Sequence, residues 1–225
     1  MKELHRRALV GILRTLFMLL VAIFVPIWTL RFWQGWACLA AFFVPACAIT
    51  VWVAKNDPAL LERRLKAGPI AEKETGQKVV QVITAIVFLA DFAVPAIDHR
   101  FHWSSVPGYA ATLGDLAMVV GFAIVFAVFM ANSFTSGIIE VADGQKVIST
   151  GPYAVVRHPM YVGGLVMLYG IPLALASWWG MLVNVPMTAA VVWRLLDEER
   201  FLADKLPGYV EYRERVKFRL VPLLW

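Results

Sequence analysis

Charge is what this sequence has least of. Asp, Glu, Lys and Arg make up 16% of its 225 residues, whereas 60% are apolar or aromatic, and the mean hydropathy is +0.68. A soluble domain is nearer a quarter charged and half apolar. So few charges could not coat the apolar surface of one water-soluble domain, and lipid is the expected solvent for much of it. Cysteine is scarce too. Cys38 and Cys47 fall on roughly opposite faces of one apolar run and read as packing residues. No Cys/His spacing suits a metal and none is expected; no repeat of 20–50 residues recurs. No basic cluster with interleaved aromatics suits nucleic acid, so none is expected as a partner. Nine tryptophans and the long apolar runs exclude disorder.

The charge-free runs set the architecture. Residues 32–54 and 116–139 hold no charged side chain, and each exceeds the roughly 20 residues a helix needs to cross a bilayer core. Residues 15–30 are also uncharged, with Arg14 able to snorkel, and 79–97 are interrupted only by Asp91. Four spans follow, near 12–30, 34–54, 79–97 and 113–133. Lys2, Arg6 and Arg7 before the first run resemble the start of a signal peptide. That run is long, however, and no small-residue cleavage site closely follows, so it reads as a retained membrane helix. Residues 158–193 contain no Asp, Glu, Lys or Arg; one straight helix of that length would reach roughly 54 Å. Turn residues at Gly170–Pro172 and Ser177–Gly180 divide it into a helical hairpin, about 159–175 and 179–203. The expected class is an all-α integral membrane protein, with four transmembrane helices, this C-terminal hairpin and a cytosolic cofactor-binding segment.

With a cytosolic N-terminus, only Arg31 and Arg100 of the 21 Lys and Arg lie on the far side. The sequence pI near 9.4 is then a topology signal, as the positive-inside rule expects. Asn56-Asp57-Pro58 reads as a helix start, capped by Asp57 with Pro58 in the first turn. The residues that follow, 60–65, read as an amphipathic helix on the cytosolic surface.

Polar residues gather in two places. Gln145 to Tyr161 includes the Gly151-Pro152 turn, then His158 and Pro159 at the expected opening of the hairpin's first arm. Tyr161 stands three residues after His158, so both address one side of that opening. Gly163-Gly164 permits close helix approach or a cofactor against backbone. At the hairpin's other end, Arg194 and Glu198 are one helical turn apart and share a face; periodicity alone favours a solvated ion pair that snorkels to the interface. His158 is open between a structural and a catalytic role. Asp91, an acid inside a span, needs a partner or a function.

The ordered set Gly151-Pro152-Tyr153, Arg157-His158-Pro159-x-Tyr161, Arg194-x-x-x-Glu198-Glu199-x-x-Leu202, Tyr209-x-x-Tyr212-x-x-x-Val216 and Arg219-x-x-Pro222 resembles the isoprenylcysteine carboxyl methyltransferase family. These are integral membrane enzymes related to phospholipid methyltransferases, and the likeness covers 132–225. The resemblance implies methyl transfer from S-adenosyl-L-methionine bound on the cytosolic side. It implies a strand-like cofactor-lining stretch at Gln145, Lys146, Val147 and Ile148, joined by Tyr153 and by His158, Pro159, Met160 and Tyr161. Glu140 stands where the family has a cofactor-contacting glutamine, which is a departure from the pattern. Arg194 and Glu198 match the pair near the methyl acceptor, with Arg194 orienting the acceptor while Glu198 holds Arg194 or contacts the cofactor. The chain then reads as one membrane methyltransferase domain, with spans and a cytosolic loop over 1–111 and a catalytic core over 112–225.

An ionised carboxylate acceptor needs no general base, and an arginine can position it through paired hydrogen bonds. The expected partners are the bilayer and an amphiphilic or prenylated substrate whose tail enters from lipid; oligomeric state is not readable. The expected location is a bacterial inner membrane, with both termini and the cofactor site cytosolic. Two rivals remain: a membrane reductase of sterol-reductase type using NADPH, and a non-enzymatic membrane scaffold.

Overall fold

Local chemistry sets the helix ends. The Asp57 side chain accepts from the Leu60 amide at 2.9 Å, and Pro58 fills the first position, where a missing N–H costs nothing. Ser177 caps another start by accepting from the Gly180 amide at 2.9 Å. His102, left-handed at φ 55°, ends the helix before it. The computed structural model describes residues 2–68, 70–72 and 74–225. Its helices are α1 (Lys2–Ile27), α2 (Trp33–Asn56), α3 (Pro58–Leu65), α4 (Thr75–Phe101), α5 (Gly108–Ala131), α6 (Pro159–Ala174), α7 (Trp178–Lys205) and α8 (Tyr209–Arg215), with a 3-10 turn at Gly151–Ala154.

Five of these (α1, α2, α4, α5 and α7) are long and apolar enough to cross a membrane. Phe17, Val44, Ile86, Leu113 and Leu182 point out from them, where lipid replaces water. The protein is a multi-pass, all-α integral membrane protein. The hairpin lies where the charge-free run places it, but its arms are unequal. With 16 residues, α6 reaches only about 24 Å, short of the roughly 30 Å hydrocarbon core. Helices α1 and α5 start earlier than the expected residues 12 and 113, because hydropathy marks the membrane-embedded part of a helix and not its polar extension. Among the described residues no strand forms, so 145–148 is irregular backbone where the resemblance implied a strand-like stretch. Helix α3 is not simply a surface helix either: Leu60 and Leu61 are buried, packed with Ala8 and Val53.

Two helix pairs carry the architecture. Helices α5 and α6 meet backbone to backbone: a Cβ on Gly114 would run into the Ala174 nitrogen, and one on Gly121 would lie 2.6 Å from the Gly163 oxygen. Helices α4 and α7 run antiparallel and are joined by polar rungs. Gln77 Nε2 donates to Asp197 Oδ2 at 2.8 Å, Asn184 Nδ2 to Asp91 Oδ1 at 2.9 Å, and Ser177 Oγ to Asp98 Oδ2 at 2.5 Å. Asp91 thus has its partner, one that sequence spacing could not name. The buried apolar core, including Leu19, Ile23, Phe92, Met118 and Ile171, closes the bundle on the Ser177 side.

Candidate functional site

Toward the other end, the bundle does not close. The α4–α7 and α5–α6 pairs diverge around a cavity of about 760 Å³, within the roughly 300–1,000 Å³ usual for small-molecule sites. Its wall within the bundle is apolar, with Phe88 from α4, Phe122 and Phe129 from α5, Leu168 from α6, and Met187 and Val191 from α7. Its rim is polar. The twelve residues expected to meet the cofactor or acceptor all line it: Glu140, Gln145, Lys146, Val147, Ile148, Tyr153, His158, Pro159, Met160, Tyr161, Arg194 and Glu198.

The rim is held by three arrangements. The first centres on Glu199, which is 3% exposed. Its carboxylate accepts from Arg157 Nε at 2.6 Å and from Arg219 Nε at 3.0 Å, and His158 Nε2 lies 3.3 Å away. The Arg157 and His158 amides donate to the Phe218 and Arg219 carbonyls at 2.9 and 3.1 Å. The segment around Phe218 and Arg219 is thereby fastened across the start of α6. His158 contacts a structural carboxylate here while its residue also lines the cavity. The second arrangement is the tyrosine cluster. Tyr153 receives a hydrogen bond from Asn132 Nδ2 at 3.1 Å, and its carbonyl accepts from Tyr212 Oη at 2.8 Å. Burial pushes the Tyr153 phenol up to about 12, so it stays protonated at neutral pH. The loop that supplies Gln145 closes on itself, with the Ala142 amide donating to Gln145 Oε1 at 2.9 Å. Glu140 accepts from Ser136 Oγ at 2.9 Å.

The third arrangement corrects an expectation. Glu198 does not hold Arg194. Tyr161 Oη donates to Glu198 Oε2 at 2.6 Å. Arg194 Nη1 instead reaches Glu72 Oε1 at 2.7 Å and Gln77 Oε1 at 3.0 Å, and its Nη2 reaches the Gly137 carbonyl at 3.1 Å. The pair shares a helix face, as periodicity requires, but the loop before α4 offers Arg194 a buried carboxylate at Glu72. An exposed i,i+4 pair is worth only tenths of a kcal/mol. Sequence reading missed Glu72, Gln77, Gln81 and Arg64, all N-terminal to residue 112. The signal available was the polar pair Gln77 and Gln81, one turn apart at the start of a span. The site therefore draws on both halves of the chain.

Residues 109–207, less than half of the chain, match the family described as phospholipid methyltransferase. The match runs from α5 through α7 and includes the polar rim between them. A stretch of 90 residues is 30% identical to a Delta(14)-sterol reductase of Mus musculus, covering 39% of this chain. The likeness spans only 22% of the length of that relative.

Proposed function

We propose that this membrane protein transfers a methyl group from S-adenosylmethionine to an amphiphilic acceptor, in the manner of the isoprenylcysteine carboxyl methyltransferases. The observation that carries the reading is a cavity, apolar within the bundle and polar at its rim, lined by all twelve residues expected to meet the cofactor or acceptor. The residues fit the cofactor. The rim offers carboxylates at Glu140 and Glu198 for an ammonium or hydroxyls, and Lys146 for a carboxylate. Two further cavity residues, Tyr209 and Thr135, have buried hydroxyls without partners among the described residues, and such groups are costly unless a ligand satisfies them.

Gln145 to Ile148, Tyr153 and His158 to Tyr161 would hold the cofactor, which when bound supplies an already activated sulfonium methyl. The protein has then to position the acceptor and keep water away. Arg194, immobilised by Glu72, Gln77 and Gly137, retains N–H donors for an acceptor oxygen. Tyr161 fixes the Glu198 carboxylate beside it. Phe88, Phe122 and Phe129 exclude water and receive the acceptor's tail from lipid. A cytosolic rim accords with the basic residues around it, and residues 1–225 act as one domain.

The likeness to a Delta(14)-sterol reductase supports a second reading, in which the same cavity takes NADPH and an isoprenoid-derived olefin. Titrating the protein in detergent with S-adenosylmethionine, S-adenosylhomocysteine and NADPH separates the two. Micromolar binding of the adenosyl compounds alone is expected; binding of NADPH alone overturns the methyltransferase reading. Labelled-methyl transfer to prenylcysteine analogues, fatty acids and phosphatidylethanolamine then identifies the acceptor.

A further inference from the structure

The charged side chains around the cavity differ in one respect. Arg194 is answered by Glu72, whose side chain is 2% exposed; Arg157 and Arg219 are answered by Glu199. Glu198 and Glu140 take hydroxyl donors from Tyr161 and Ser136. Arg64, half-buried at the end of α3 and lining the cavity, has no carboxylate within ion-pair distance among the described residues; Lys146, the other cavity cation without one there, is exposed to solvent. One Nη1 donates to the Ser136 carbonyl at 2.7 Å, and the guanidinium lies 5.5 Å from the centre of the Phe129 ring. A guanidinium carries five N–H donors in a planar fork, so most of this fork is uncommitted.

The position follows from the fold. Asp57 and Pro58 start α3, and Leu60 and Leu61 bury its apolar face, which presents Arg64 toward α5. The Phe129 ring beneath it belongs to the apolar wall, so Arg64 stands where that wall meets the polar rim. Burial lowers its affinity for its proton, partly against the nearby Tyr161 and Glu198, while the Arg194 charge adds to the lowering. A bound anion would reverse that penalty.

We propose that Arg64 recognises an oxyanion, carboxylate or phosphate, at the head of the amphiphile whose tail occupies the apolar part of the cavity. This deepens the acceptor side of the methyltransferase reading and rests on it for the identity of the amphiphile as substrate. The division of labour is then clear. Arg194, its charge neutralised by Glu72, supplies directed N–H groups, and Arg64 supplies a half-buried guanidinium with no carboxylate in ion-pair contact among the described residues. An amine-headed amphiphile would meet that charge unfavourably.

The test uses a tail-matched series of oleate, oleyl phosphate, oleyl alcohol and oleylamine, titrated into the full chain in an uncharged detergent and followed by tryptophan fluorescence. At least one oxyanion should bind about ten-fold or more tightly than the alcohol, as charge-assisted hydrogen bonds to one guanidinium allow; which one identifies the head. Arg64→Gln should bring that affinity down to the alcohol's level, leaving the alcohol and S-adenosylhomocysteine affinities unchanged. Should Arg64→Gln not remain monodisperse, Arg64→Lys carries the test, with a several-fold loss for the oxyanion expected because the planar fork is gone. The absence of any oxyanion preference in the native chain, or its persistence undiminished in these variants, overturns the proposal. Loss of adenosyl binding by the native chain would sink the methyltransferase reading instead, and the oleyl series would still report on Arg64.

Discussion

The α5–α6 and α4–α7 pairs solve the same packing problem by opposite means, and the cavity lies between them. Helices α5 and α6 are held by proximity: glycines bring their backbones together, with Gly170 also within 2.7 Å of the Gly114 oxygen for any added Cβ. Helices α4 and α7 stay a side chain apart and are held by hydrogen bonds. In lipid, where apolar surface gains nothing from leaving water, close van der Waals contact and interhelical hydrogen bonds are the two attractions left. A seam of glycines admits nothing between its helices. A seam of polar rungs can carry functional groups at one end, and Arg194 is both a rung and part of the rim.

The contrast predicts a graded set of outcomes. Gly114→Val should be the most damaging, since its side chain would meet the Ala174 backbone and not a flexible side chain. A cost above ~3 kcal/mol is expected for overpacking that cannot relax, seen as loss of a monodisperse peak in detergent. Arg194→Ala should lower stability by stranding the buried Glu72 carboxylate, though the α4–α7 pair keeps its other rungs, and should reduce methyl transfer by about 100-fold through lost positioning. Full turnover with normal adenosyl binding would remove Arg194 from the site.

Asp91→Leu should cost ~1–3 kcal/mol by leaving Asn184 Nδ2 with only the Leu168 carbonyl, at 3.2 Å. Adding Asn184→Leu should recover most of that loss, because removing both partners leaves no buried donor stranded. A double variant worse than the single would mean that the rung holds register and not merely hydrogen-bond balance. The smallest effects distinguish adjacent residues. Gly163→Ala places a Cβ 2.8 Å from the Gly121 oxygen and should lower thermal stability by ~1–2 kcal/mol. Gly164 has nothing within 4 Å of that position and lines the cavity. Gly164→Ala should be neutral or stabilise the helix by up to ~1 kcal/mol, and a loss of ligand affinity there would report the pocket directly.

Legibility varied by residue for physical reasons. The Gly163-Gly164 pair was readable as either close approach or ligand contact, and the two residues divide those roles because adjacent helix positions point about 100° apart. His158, Pro159 and Tyr161 were readable because they lie on one short opening of α6. Glu72 was not, because it comes from a loop that meets Arg194 only after α4 and α7 have paired. Arg64 was visible only as one charge of an amphipathic helix; that no carboxylate among the described residues pairs with it is a tertiary property.

The sequence alone determined the solvent, the presence of the apolar spans and the hairpin, because each depends on composition or on neighbours within a few turns. The tertiary structure decided which charges neutralise one another, which helix pairs close and which diverge. Those outcomes depend on distances of a few ångströms between residues up to 122 positions apart, as in Glu72 and Arg194. No local pattern encodes such distances, and they assign structural roles to Glu199 and Glu72 while leaving Arg64 facing the cavity.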